Sequence, residues 1–133
     1  MPREFTYRRR VQFAETDAAG IVHFAVFYRY MEEAEHAMWR DAGLSIEPQG
    51  APIGWPRVAA SFEFHRPLRF EDECDVRIAV AALKSRTIEY ACTITRNGEK
   101  IASGAMTIAC VRKTPGQPLQ STEIPADIAR RFT

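Results

Sequence analysis

Apolar and polar positions alternate at the start of the chain. In FTYRRRVQF, Phe5, Tyr7, Val11 and Phe13 share one parity, the period of a half-buried strand, and Arg9 interrupts that face and is expected at its rim. The period then lengthens. Over FAVFYRYMEEAEHAMWRDAG, Phe27, Met31, Ala34 and Met38 recur at four, three and four residues, which predicts one long amphipathic helix. Its polar face is assigned Glu32, Glu35, His36 and Arg40, and Gly43 supplies the left-handed residue that ends helices.

From Leu44 to Pro56 proline and glycine are dense, so a loop or lid is expected. Strand periodicity then returns. Val58, Ala60, Phe62 and Phe64 share a face, as do Val76, Ile78 and Val80, and Ile88, Tyr90, Cys92 and Ile94. Asn97-Gly98 predicts a tight hairpin turn into the return run KIASGAMTIACV, in which Gly104 marks a candidate bulge. Beyond about residue 114 a proline-bearing extension closes on a short helix from about Pro125, with Arg130 and Arg131 read as a solvated face. Five antiparallel strands and one helix, with no alternation of strands and helices, predict an α+β domain filling residues 1–133.

Composition narrows the function classes. The 133 residues carry 18 basic and 17 acidic side chains, a net charge of +1, which argues against an extended nucleic-acid footprint. No apolar run reaches membrane length. Cys74, Cys92 and Cys110 are odd in number and far apart, with neither CxxC spacing nor a close histidine cluster, so neither a metal site nor a disulfide framework is expected and a reducing, cytoplasmic setting is.

Candidate chemistry concentrates in DAAGIVHF, residues 17–24: a carboxylate, a glycine and an imidazole just ahead of the helix. Asp17 reads either as a turn residue accepting loop amides or as a reactive carboxylate. Glu15 reads as structural or surface charge, and Glu32 and Glu33 as helix solvation, with Glu33 the one turned toward a neighbour. Tyr28 and Trp39 read as packing residues.

The stretch VQFAETDAAGIVHFAVFYRYMEEAE, followed by FEFHRPLRFEDECDV, resembles the hotdog-fold acyl-CoA thioesterases of the 4-hydroxybenzoyl-CoA thioesterase family, in pattern and element order over roughly residues 5–113. The resemblance implies a hotdog fold, a five-stranded antiparallel sheet wrapped around a long central helix. It implies hydrolysis of an acyl-CoA thioester to a carboxylic acid and coenzyme A, with coenzyme A as part of the substrate and no separate cofactor. It also implies a homodimer, or a tetramer built from dimers, with sites near the subunit boundary.

By the same resemblance Asp17 is the functional carboxylate and the Phe24 backbone amide the donor to the thioester oxygen. Gly20, Val22, His23 and Phe27 are expected to line the substrate, and Lys84 and Arg86 to meet coenzyme A phosphates. Relatives commonly carry a tyrosine-histidine pair where this chain has His23-Phe24, so His23 is assigned only a lining role. Two other readings of the fold stand beside hydrolysis: a non-catalytic acyl-thioester-binding protein, and a dehydratase or isomerase acting on the acyl chain.

Overall fold

The computed structural model describes residues 3–133; the first two residues of the expected 1–133 domain lie outside it. Strand β1 (Glu4–Arg10) leads through a single 3-10 turn (Phe13–Glu15) to helix α1 (Val26–Asp41), then β2 (Ile53–Gly54) and β3 (Arg57–Phe64). There follow β4 (Glu73–Leu83), β5 (Thr87–Arg96), β6 (Glu99–Ala109), β7 (Val111–Arg112), β8 (Gln120–Ser121) and α2 (Ala126–Arg131). The main sheet runs β1-β4-β5-β6-β3 and every pairing in it is antiparallel. The α+β class and the antiparallel sheet are as expected.

Two parts of the expected architecture are corrected. The helix has 16 residues, roughly 24 Å, and lies against one face of the sheet rather than running long through its centre. The strands are also not confined to one five-stranded sheet: β2, β7 and β8 form a second, three-stranded sheet. β2 and β8 come from segments read as loops, because two-residue strands carry no periodic signal, and β7 takes up the end of the return run.

The core lies between α1 and the sheet. Phe27, Tyr30, Met31, Ala34, Met38 and Trp39 are buried on the helix, facing Val76 and Ile78 of β4, Ile88, Tyr90 and Ile94 of β5, and Ile108 of β6. Each large apolar side chain so placed contributes roughly 1.5–3 kcal/mol. The C-terminal extension closes one end: Phe132 packs on Trp39 with ring centroids 4.9 Å apart, and Arg131 Nη1 donates to the Ala42 carbonyl at 2.7 Å. Arg131, exposed as expected, thus also satisfies a carbonyl at the end of α1.

The alternation misleads at particular positions. Phe13 is 74% exposed because β1 has ended and the chain has turned. Val58 is 60% exposed: it lies on edge strand β3 at the register shift between Arg57 and Ala59, which breaks the alternation. Gly104 is no bulge: it pairs in register with Phe62 on one side and Cys92 on the other. A Cβ there would lie 2.6 Å from the Ser61 carbonyl and 2.8 Å from the Phe62 ring, so close approach of β3 requires glycine. Glu35, assigned to the polar face of the helix, has 0% exposure and is a buried charged residue of the core.

Candidate active site

The residues between the 3-10 turn and α1 form a short closed loop. A bridge pairs Thr16 with Val22, the Asp17 amide donates to the Ile21 carbonyl at 2.8 Å, and the Gly20 amide donates to the Asp17 carbonyl at 2.9 Å. Gly20 takes φ +79°, a turn conformation that side chains resist. Within the turn Asp17 Oδ1 accepts the Ala19 amide at 2.8 Å, the Asx turn that the residue type favours. Its second carboxylate oxygen has no hydrogen-bond partner among the described residues. The turn-residue and reactive-carboxylate readings of Asp17 are therefore compatible, one oxygen serving each.

On the far side of the loop the chain enters α1 through tight turns. The Val26, Phe27 and Tyr28 amides donate to the carbonyls of His23, Phe24 and Ala25, and the Ala25 amide donates to His23 Nδ1 at 3.1 Å. The Phe24 amide meets no acceptor among the described residues. Ala25 offers no capping side chain and the first turn of α1 has no acidic residue, so the positive end of the helix is not neutralised. Among the described residues at this helix entry, the N–H left unpaired is that of Phe24. His23, by accepting at Nδ1, is held as the tautomer with its proton on Nε2, and its ring stacks on Phe24 at 4.7 Å between centroids.

Asp17, Ile21, Val22, Phe24 and Phe27 line one cavity of about 410 Å³, with Phe64, His65, Arg66 and Pro67 opposite. Gly20 forms its turn without lining it, and neither does His23. In the sequence, Phe64, His65, Arg66 and Pro67 carried no assignment to the site. Phe64 packs edge-on against Phe27 at 5.2 Å, and the His65 and Arg66 amides both donate to the Ile101 carbonyl, turning the chain across the pocket. The Val22 amide donates to the Leu68 carbonyl at 2.8 Å, joining the two walls.

Lys84 and Arg86 do not join this pocket within one chain. Phe64 pairs with Ala102, Ala102 with Ile94 and Ile94 with Val76, so the pocket lies at the level where β4 is just beginning. Lys84 follows the other end of β4, eight residues on or ~26 Å along the strand. There Lys84 pairs with Glu89 at 3.3 Å and Arg86 donates to Ser121. The cation beside the pocket is Arg66, paired with Glu99 at 2.9 Å.

The three thiols are free and buried; burial pushes Cys74 and Cys92 up to about 12 and raises Cys110, so none is a ready nucleophile. Among the described residues no three His, Cys, Asp or Glu side chains gather in a metal-binding arrangement, and no helix is long and apolar enough to cross a membrane.

The sequence model of the Thioesterase-like superfamily matches residues 11–132, which spans both walls of the pocket and the sheet behind them. The chain belongs to the thioesterase-like superfamily. Within that superfamily it is 30% identical over 106 residues to a 1,4-dihydroxy-2-naphthoyl-CoA hydrolase of Crocosphaera subtropica (strain ATCC 51142 / BH68), covering 77% of each chain. Its fold superimposes on the BH1999 gentisyl-coenzyme A thioesterase with a TM-score of 0.87 at 30% identity, over 97% of this chain and 100% of that one. It has the fold of the 4-hydroxybenzoyl CoA thioesterase from Pseudomonas sp. strain CBS-3, with a TM-score of 0.88 at 20% identity over 97% and 99% of the two chains.

Proposed function

We infer that this thioesterase-superfamily chain hydrolyses an acyl-CoA thioester to a carboxylic acid and coenzyme A. The observation that carries the reading is the pairing, on one cavity wall, of an Asp17 carboxylate oxygen and a Phe24 N–H that both lack a partner among the described residues. A thioester carbonyl seated between them would have its oxygen toward the Phe24 amide, where negative charge develops during attack. Asp17 then either attacks the carbon, expelling the thiolate and leaving an anhydride for water to open, or takes a proton from the attacking water. In both routes the departing thiolate is a weaker base than an alkoxide would be, so no proton relay of the serine-histidine type is required.

The acyl group is aromatic in this reading. Phe24, Phe27 and Phe64 line the pocket, and aromatic faces and edges suit a flat ring. The 1,4-dihydroxy-2-naphthoyl-CoA and gentisyl-CoA activities named for the two relatives at 30% identity are of this kind.

The working unit is a dimer. Among the described residues β3 ends the main sheet with an unpaired edge, and its Phe64 end forms a pocket wall, so a second copy paired along β3 would complete the site's surroundings. Lys84 and Arg86 would reach coenzyme A phosphates only from such a copy. The reading includes a cytoplasmic location, supported by three thiols that form no disulfide.

Thiol release measured across benzoyl-CoA, a short acyl-CoA and a long acyl-CoA, with products identified by mass, tests the reading. The expected result is free coenzyme A and free acid, fastest from benzoyl-CoA. Intact ester from all three, or a dehydrated or isomerised ester still bound to coenzyme A, would contradict it.

A further inference from the structure

The carboxylate two residues before Asp17 is not a surface charge. Glu15 and Arg9 side chains are each only 16% exposed, and the Arg9 fork closes on both Glu15 oxygens while its Nε donates to Glu33 of α1 at 2.8 Å. Glu15 Oε1 also accepts the Tyr30 hydroxyl at 2.8 Å and the Gln12 amide at 2.7 Å. Arg9 lies 4.9 Å over the Tyr30 ring, and Tyr30 is fully buried. One carboxylate therefore ties together β1, the 3-10 turn and the core face of α1.

The backbone of the same residue completes the arrangement. The Glu15 carbonyl accepts the His23 amide at 3.0 Å, beside the Thr16–Val22 bridge. Asp17 leaves this junction on one arm two residues later, and Phe24 leaves it on the other arm one residue after His23. The two arms that carry the free carboxylate oxygen and the free amide thus both start at Glu15.

We propose that Glu15, gripped by Arg9 and Tyr30, is the positioning residue that holds Asp17 and the Phe24 amide at their working separation. Its side chain does not line the cavity; it acts through the loop it anchors. The proposal rests on the thioesterase reading for its kinetic consequence and on the loop geometry alone for its structural one. A surface salt bridge would leave the loop unaffected when neutralised, whereas an anchor at the loop's neck would change the geometry of both reacting groups together. Small misplacements of this kind act on turnover more than on binding.

The test compares wild type with Glu15→Gln, Tyr30→Phe and a destabilising control at the other end of the sheet, Ile88→Val. Benzoyl-CoA hydrolysis gives kcat and KM, and amide hydrogen exchange reports residues 17–23. Glu15→Gln is expected to lower kcat about tenfold or more with KM changed less than about threefold, and to speed exchange at the Gly20, Val22 and His23 amides. Tyr30→Phe, which removes one of the donors to Glu15, should give a smaller effect of the same kind. Ile88→Val should lower Tm with neither change.

The proposal is overturned if Glu15→Gln leaves exchange over 17–23 as in wild type, or if its kcat loss is matched by Ile88→Val at comparable loss of Tm. The exchange measurement needs no substrate, so it decides the role of Glu15 whether or not benzoyl-CoA is the ester turned over.

Discussion

Two guanidinium clamps flank α1, and their contrast separates what holds the fold from what sets the chemistry. Arg57, at the start of edge strand β3, meets both oxygens of Glu35 at 2.5 and 3.0 Å and also pairs with Glu32 at 3.1 Å. Arg9, on the opposite edge strand, grips Glu15 and Glu33. Each joins an edge strand to the helix. Glu35, however, is wholly inside, with Tyr90 behind it and the Trp39 indole donating to the Tyr90 hydroxyl at 3.0 Å. Glu15 sits at the neck of a loop instead. The first clamp joins two elements that are already packed, so its loss should appear as stability; the second joins a packed framework to the segment that carries the reacting groups, so its loss should appear as rate.

The largest separation should come from removing each guanidinium in turn. Arg57→Met leaves Glu35 buried without its partner, and urea unfolding is expected to show a loss of about 3–5 kcal/mol. Arg9→Met, where water can reach the abandoned carboxylates, should cost about 1–3 kcal/mol and should in addition lower kcat. Equal stability losses, or a kcat defect confined to Arg57→Met, would break the contrast.

A smaller effect distinguishes the clamps by pH. Burial raises the Glu35 carboxyl above its ordinary value of 4.5, the attraction of Arg57 offsetting only part of that. The folded protein therefore keeps this proton to higher pH than the unfolded chain. Its contribution to stability is complete below about pH 4.5 and is lost as pH rises through the raised value. Subtracting the unfolding free energies of Glu35→Gln from those of wild type should give a difference that falls with rising pH across this window. A difference that climbs with pH would mean that Arg57, and not burial, dominates the site.

Much of this was legible in the amino-acid pattern, and the misses share a cause. The change from period two to period 3.6 gives β1 and α1, and the Asn97-Gly98 turn appears where expected, with φ of 50° and 78°. Asp17, Val22, Phe24 and Phe27 do meet on one cavity. The two clamps were missed because charge was equated with solvent. Arg9 shares its parity with Phe5 and Tyr7, and Glu35 stands four residues after Met31 and three before Met38, on the buried stripe. Each inward charge signalled an inward partner, but the partners, Glu15 and Arg57, are remote in the chain or lie on another element, and periodicity carries no information about tertiary pairing. The Phe64–Pro67 wall was hidden for the same reason, since only the fold brings the end of β3 across from the Asp17 loop.

The most direct test of the central claim is the turnover of benzoyl-CoA by Asp17→Asn, with the dissociation constant for the same ester and Tm measured alongside. The amide of asparagine keeps an oxygen for the Ala19 N–H but supplies neither a nucleophile nor a base. A fall in kcat of about 100-fold or more is predicted, with binding and Tm close to wild type. Undiminished turnover by the folded variant would contradict the assignment of the reaction to Asp17.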